Sequence, residues 1–76
     1  SPNPVLDQAL VQFDVQQDQE VRLSVMDLTG RVVQMQQVLA SKANQLPIDL
    51  STLPRGLYFI RMENGREQFT QKIVVE

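Results

Sequence analysis

The chain has 76 residues, 42% of them apolar, with seven basic and nine acidic side chains and a net charge of −2. A single domain of this length buries only about 60–65% of its unfolded surface, so its stability is modest. Histidine and cysteine are absent and no long run of like charge occurs, which removes the commonest general base and metal ligand, any disulfide framework or thiolate zinc site, and a nucleic-acid footprint.

Phe13, Tyr58, Phe59 and Phe69 are the only aromatics. The core must therefore be built from Val, Leu and Ile, which favours strands. No stretch approaches the ~20 apolar residues of a membrane helix, and no charged segment followed by an apolar one opens the chain, so any signal peptide belongs to sequence upstream. The Ser1-Pro2-Asn3-Pro4 start reads as a cut at a linker boundary.

Residues 1–8 read as a stiff lead-in linker, because Pro2 and Pro4 on either side of Asn3 favour extended or turn conformations and cannot enter a central strand. From about Ala9, Val11, Phe13 and Val15 alternate with polar residues and predict a half-buried strand, followed by a polar connection over Gln16 to Glu20. Val21, Leu23 and Val25 alternate with Arg22, Ser24 and Met26, the cleanest period of two in the chain. Asp27-Leu28-Thr29-Gly30 supplies an Asx-type turn start and a glycine, and the apolar run after it at Arg31 to Val38 predicts a hairpin. Residues 39–45 are expected to be loop. Leu46, Ile48 and Leu50 alternate again, and Pro47 inside that run confines it to an edge strand or a strand opening.

After a turn over Ser51 to Gly56, Leu57 to Met62 is nearly all apolar, with Tyr58, Ile60 and Met62 on one face and Leu57, Phe59 and Arg61 on the other. That pattern suits a strand buried on both sides or lying beside the second sheet. Asn64-Gly65 predicts a type I′ hairpin turn, with both central residues at positive φ. The last strand runs from about Gln68 to Val75. Six or seven short strands with turns every 8–12 residues predict an all-β, immunoglobulin-like antiparallel β-sandwich over residues 9–76, with a small open barrel as the alternative.

Chemistry is hard to place on this scaffold. Without His or Cys neither a Ser-His nor a Cys-His pair exists, and Gly30, Gly56 and Gly65 are too isolated for a phosphate loop. Asp14, Asp18 and Glu20, with Asp7, are close enough in sequence to be considered for calcium, but their spacing is not that of an EF-hand loop and solvated loop charge is the simpler reading. No catalytic residue, metal or cofactor is therefore expected. Arg61 and Lys72 interrupt apolar strands, either as recognition contacts or as solvent-facing charges that block edge aggregation. Tyr58 suits a core position with a bonded hydroxyl, and Gly56 a backbone need.

In order along the chain stand Pro2-Asn3-Pro4, Asp27-Leu28-Thr29-Gly30-Arg31-Val32-Val33, Ile48-Asp49-Leu50-Ser51-Thr52-Leu53, Gly56-Leu57-Tyr58-Phe59-Ile60-Arg61 and Lys72-Ile73-Val74-Val75. Together they resemble the C-terminal sorting domain of the type IX (Por) secretion system of Bacteroidetes, in its type A form. The resemblance implies an immunoglobulin-like domain carried behind a cargo protein, which reaches the periplasm and then the cell surface or the outside. It also implies recognition by an outer-membrane translocon and removal by a sortase-like cysteine protease just upstream of Pro2-Asn3-Pro4. By position it assigns recognition to Pro2, Asn3, Pro4, Asp27, Gly30, Arg31, Gly56, Tyr58, Arg61, Lys72 and Val74, and calls for no nucleic acid or small-molecule substrate. The alternative is an accessory β-sandwich that binds glycan or another domain of an extracellular protein.

Overall fold

A computed structural model describes residues 4–5, 8–41 and 43–76, with side chains from residue 10 onward except around 42–44. Seven strands follow in chain order: β1 (Pro4–Val5), β2 (Gln8–Asp14), β3 (Gln19–Met26), β4 (Val32–Ala40), β5 (Ala43–Asp49), β6 (Gly56–Glu63) and β7 (Gln68–Val75). They form a five-stranded sheet in the order β1-β7-β6-β3-β4 and a two-stranded ribbon, β2-β5. All neighbours run antiparallel except β1, which adds to β7 in parallel through Pro4–Val74 and Val5–Val75. Pro4 thus occupies an edge, the place in a sheet where a missing donor is tolerated.

The ribbon packs on one face of the large sheet, so the molecule is a small β-sandwich. Leu23 and Val25 of β3, Tyr58 and Ile60 of β6, and Ile73 and Val75 of β7 alternate inward and meet Ile48 and Leu50 from the β5 side. Val11, Leu46, Leu53 and Met62 fill the margins of this cluster. The period of two in β3 and β6 is what puts these side chains on one face.

Two connections differ from the expected ones, while Pro47 falls in an edge strand as expected. The segment expected to be loop over residues 39–45 is mostly strand, because β4 stays paired to β3 as far as Gln19–Ala40 and β5 begins pairing at Asp14–Ala43. Pro47 sits inside β5 opposite Leu10, and in a two-stranded ribbon each strand has an unpaired side where proline costs no ladder bond. At the β6–β7 turn only Gly65 takes positive φ, at +95°, so the turn is not type I′. Asn64 stands at the corner instead: its Oδ1 accepts from the N–H groups of Arg66 (3.0 Å) and Glu67 (2.9 Å), and its own N–H donates to the Glu67 carbonyl. An Asn that supplies its own acceptor fixes a turn without the left-handed conformation at its own position.

Leu50 is fully buried between ribbon and sheet. Leu50→Ala is expected to cost roughly 2–5 kcal/mol, a large part of the roughly 5–15 kcal/mol that holds a domain together. Urea denaturation followed by circular dichroism measures it.

Candidate recognition surface

The ribbon covers only one face of the five-stranded sheet. The opposite, outer face carries Arg22, Ser24 and Met26 of β3, Leu57, Phe59, Arg61 and Glu63 of β6, and Thr70, Lys72 and Val74 of β7, in rows set by the register. One row reads Lys72, Phe59, Met26; the next reads Thr70, Arg61, Ser24, Met35; the one after joins Glu63 and Arg22. Leu57, Phe59, Val74 and Met26 are half-buried there although no described strand lies over them.

Arg61 stands near the middle of this face. Its Nε is shielded from solvent and meets no hydrogen-bond partner. Ser24 beside it is buried, its short side chain enclosed by longer neighbours. Arg22 is held by Glu63 at 3.7 Å, whereas Arg61 and Lys72 carry no ion pair among the described residues. A shielded guanidinium nitrogen without an acceptor is costly, and a sheet face that concentrates such a group with half-buried aromatic and aliphatic side chains has the character of a contact surface.

The other residues named from sequence fall in different places. Pro2 and Asn3 lie outside the described residues. Pro4 is on β1, next to Val74 of the outer face. Tyr58 points the other way, into the core, and its hydroxyl donates to the Pro54 carbonyl at 2.6 Å. Gly56 opens β6 opposite Val75 at φ +152°.

Asp27, Gly30 and Arg31 form one closed turn between β3 and β4. Asp27 Oδ1 accepts from the N–H of Thr29 (2.9 Å), the hydroxyl of Thr29 (2.6 Å) and the N–H of Arg31 (3.0 Å), while Oδ2 accepts from Arg31 Nε at 3.2 Å. The main chain closes the same ring, with Asp27 N–H donating to the Arg31 carbonyl and Gly30 N–H to the Asp27 carbonyl. Gly30 takes φ +87°, in the left-handed region, so a side chain there is strained even though the space is open. The Thr29 hydroxyl, with the N–H groups of Arg31 and Thr29 and the Arg31 charge, holds the Asp27 carboxyl below its usual pKa against a smaller opposing effect of burial. Ser51 lowers Asp49 in the same way, through its hydroxyl and its N–H.

Thus Arg61, Lys72 and Val74 share the outer face, Asp27, Gly30 and Arg31 build a turn, and Tyr58 belongs to the core. Phe59, Leu57, Met26 and Ser24 were not singled out as site residues. The signal was present for two of them, since Leu57 and Phe59 alternate with Tyr58 and Ile60 on the face that holds Arg61. Among the described residues no three carboxylates gather as a metal site.

A family profile described as a secretion system C-terminal sorting domain matches residues 2–76. The chain belongs to that family. Its family consists of sorting signals rather than catalysts. As a sorting domain of type IX secretion, the chain serves a cargo protein handled by the secretion system and directs its export to the cell surface or the outside. No curated protein matches it.

Two outcomes follow from the turn and the core. The folded Asp27 carboxyl ionises below its unfolded value of about 3.9. Its contribution to the sorting domain's stability is therefore complete above that pH and is lost as pH falls through the lowered folded value. Asp27→Asn keeps an amide oxygen as acceptor but loses the charge, so melting temperature against pH is expected to fall less steeply on the acid limb. Tyr58→Phe removes the bond to Pro54 and is expected to cost about 0.5–1.5 kcal/mol in urea denaturation.

Proposed function

We propose that this sorting domain is of the type A form found in Bacteroidetes, and that the outer face of its five-stranded sheet is what an outer-membrane translocon of the type IX system reads. The observation that carries this is the Nε of Arg61, shielded and unpaired in the middle of a face lined by Phe59, Leu57, Val74 and Lys72. A partner that brings a carboxylate or carbonyl to Arg61 and Lys72, and apolar groups to Phe59 and Val74, satisfies every group on that face at once.

In this reading residues 9–76 form the recognised sandwich and residues 1–8 the lead-in from the cargo. The cargo passes through the periplasm, and a sortase-like cysteine protease cuts just upstream of Pro2-Asn3-Pro4. The nucleophile belongs to that protease. Asp27, Gly30, Arg31, Gly56 and Tyr58 act through the fold, by holding the sheet that presents Arg61, Lys72 and Val74. A glycan-binding accessory domain finds less support, because Tyr58 is buried and only Phe69 among the aromatics is largely exposed, at 61%.

A reporter fused ahead of residues 1–76 in a type IX-competent bacterium is expected at the cell surface or in the medium, with a mass that corresponds to loss of the domain. Arg61→Glu combined with Lys72→Glu is expected to retain the reporter in the periplasm with an unchanged melting temperature. Normal export of that double variant would overturn the assignment of the outer face. Periplasmic retention of the folded parent fusion would overturn the secretion reading itself.

A further inference from the structure

The two sheets end in open edges, and one edge differs from the rest. Beyond the two-residue β1, the outer flank of β7 carries Lys72; β5 carries Pro47 and Asp49; β2 carries Asp14. Charges, prolines and short covering strands are the usual means of keeping an edge from pairing with another chain. By contrast β4 is a nine-residue edge strand, Val-Val-Gln-Met-Gln-Gln-Val-Leu-Ala, with no charge and no proline. It also holds three of the most exposed large apolar side chains, Val32 (46%), Met35 (58%) and Leu39 (75%).

The geometry of β4 selects its partner. A register slip opposite Val25–Met26 interrupts the strand near its start, which leaves Gln34 to Ala40 as the regular segment. The midpoint of that segment is Gln37. Antiparallel pairing of two copies about a two-fold axis through Gln37 sets Met35 opposite Leu39 twice on the outer face, Gln36 opposite Val38 on the inner face, and the two Gln37 amides against each other. Met35 thereby meets Leu39, the two Gln37 amides meet each other, Gln36 lies against Val38, and no like charges are opposed, which suits cross-strand pairing. The contact is isologous, as a closed dimer requires. Along the inner side of β4 lies a groove of about 390 Å³ between Gln34 and Gln36 of β4 and Pro47 and Asp49 of β5, with Leu23 and Val25 among its walls. Gln34 Nε2 spans it to the Asp49 carbonyl at 2.8 Å, so β4 is held to the ribbon on its inner side while no described strand pairs with its outer edge.

We propose that the open edge of β4 pairs with β4 of a second copy of this chain, joining two five-stranded sheets into one continuous ten-stranded sheet. The pairing goes beyond the sorting role and does not rest on it.

Sedimentation of the 76-residue chain over a concentration series is expected to show a monomer–dimer equilibrium, with amide exchange slowed at Gln34–Ala40 in the dimer. Gln37→Lys sets two ammonium groups against each other on the axis and is expected to weaken the dimer by at least about tenfold, equivalent to about 1.4 kcal/mol, while Thr70→Lys on β7 leaves it unchanged. Met35→Lys, at an exposed position, repeats the test should Gln37→Lys impair folding. A chain that stays monomeric at every concentration, or a dimer that both lysines on β4 leave intact, overturns the proposal. So does a monomer whose β4 amides slow only when a cargo domain is fused upstream, which would give the edge to the cargo.

Discussion

The contact of Ile48 and Leu50 with Leu23, Val25, Ile60, Ile73 and Val75 carries the structure, because there the narrow ribbon and the wide sheet exclude water together. A chain without cysteine, and so without disulfides, has to draw much of its stability from such burial. Two strands cannot cover five, however. Phe69 on the inner face is left 61% exposed, and no described strand covers the outer face. The same shortage that limits stability leaves the domain with surface to present.

Local turn chemistry makes this small core sufficient. At Asp27, Asp49 and Asn64 a side-chain oxygen accepts main-chain N–H groups two to four residues onward, so each bend is fixed by its own residue rather than by packing. The register of β3 on β4 and of β6 on β7 follows from these turns, and a slip of one residue would carry Leu23 or Ile60 to the outer face. The Asp27 turn sets the row in which Ser24 stands beside Met35, and the separate pairing of β3 with β6 brings Arg61 to the other side of Ser24.

The strands that alternate cleanly were legible from sequence. Val21, Leu23 and Val25, and Tyr58, Ile60 and Met62, all face the core, and β7 spans the residues its pattern suggested. What pattern could not supply was the division of strands between sheets. Ala43, Asn44 and Gln45 have no apolar period and read as loop, yet they pair because Asp14, Phe13 and Gln12 lie opposite them. Likewise Leu57 and Phe59 suggested a strand buried on both sides, since nothing in one strand's sequence says whether a second layer exists to cover it. Arg61 stands out as a charge in an apolar run, but its shielded Nε arises only in the assembled sheet, where Ser24 and Thr70 lie beside Arg61 on two other strands.

The two unpartnered features occupy different parts of the large sheet, and this separation has a physical consequence. Adjacent strands lie about 4.8 Å apart, so the free flank of β4 is separated from Arg61 on β6 by β3 and from Lys72 on β7 by two strands. Pairing at β4 uses main-chain groups in the plane of the sheet, whereas contact at Arg61 and Lys72 uses side chains perpendicular to it. Neither engagement occupies the groups needed for the other. Two copies joined through β4 would hold their outer faces on the same side of one continuous sheet, so that a partner able to read both would gain from the linkage without any new contact within each copy.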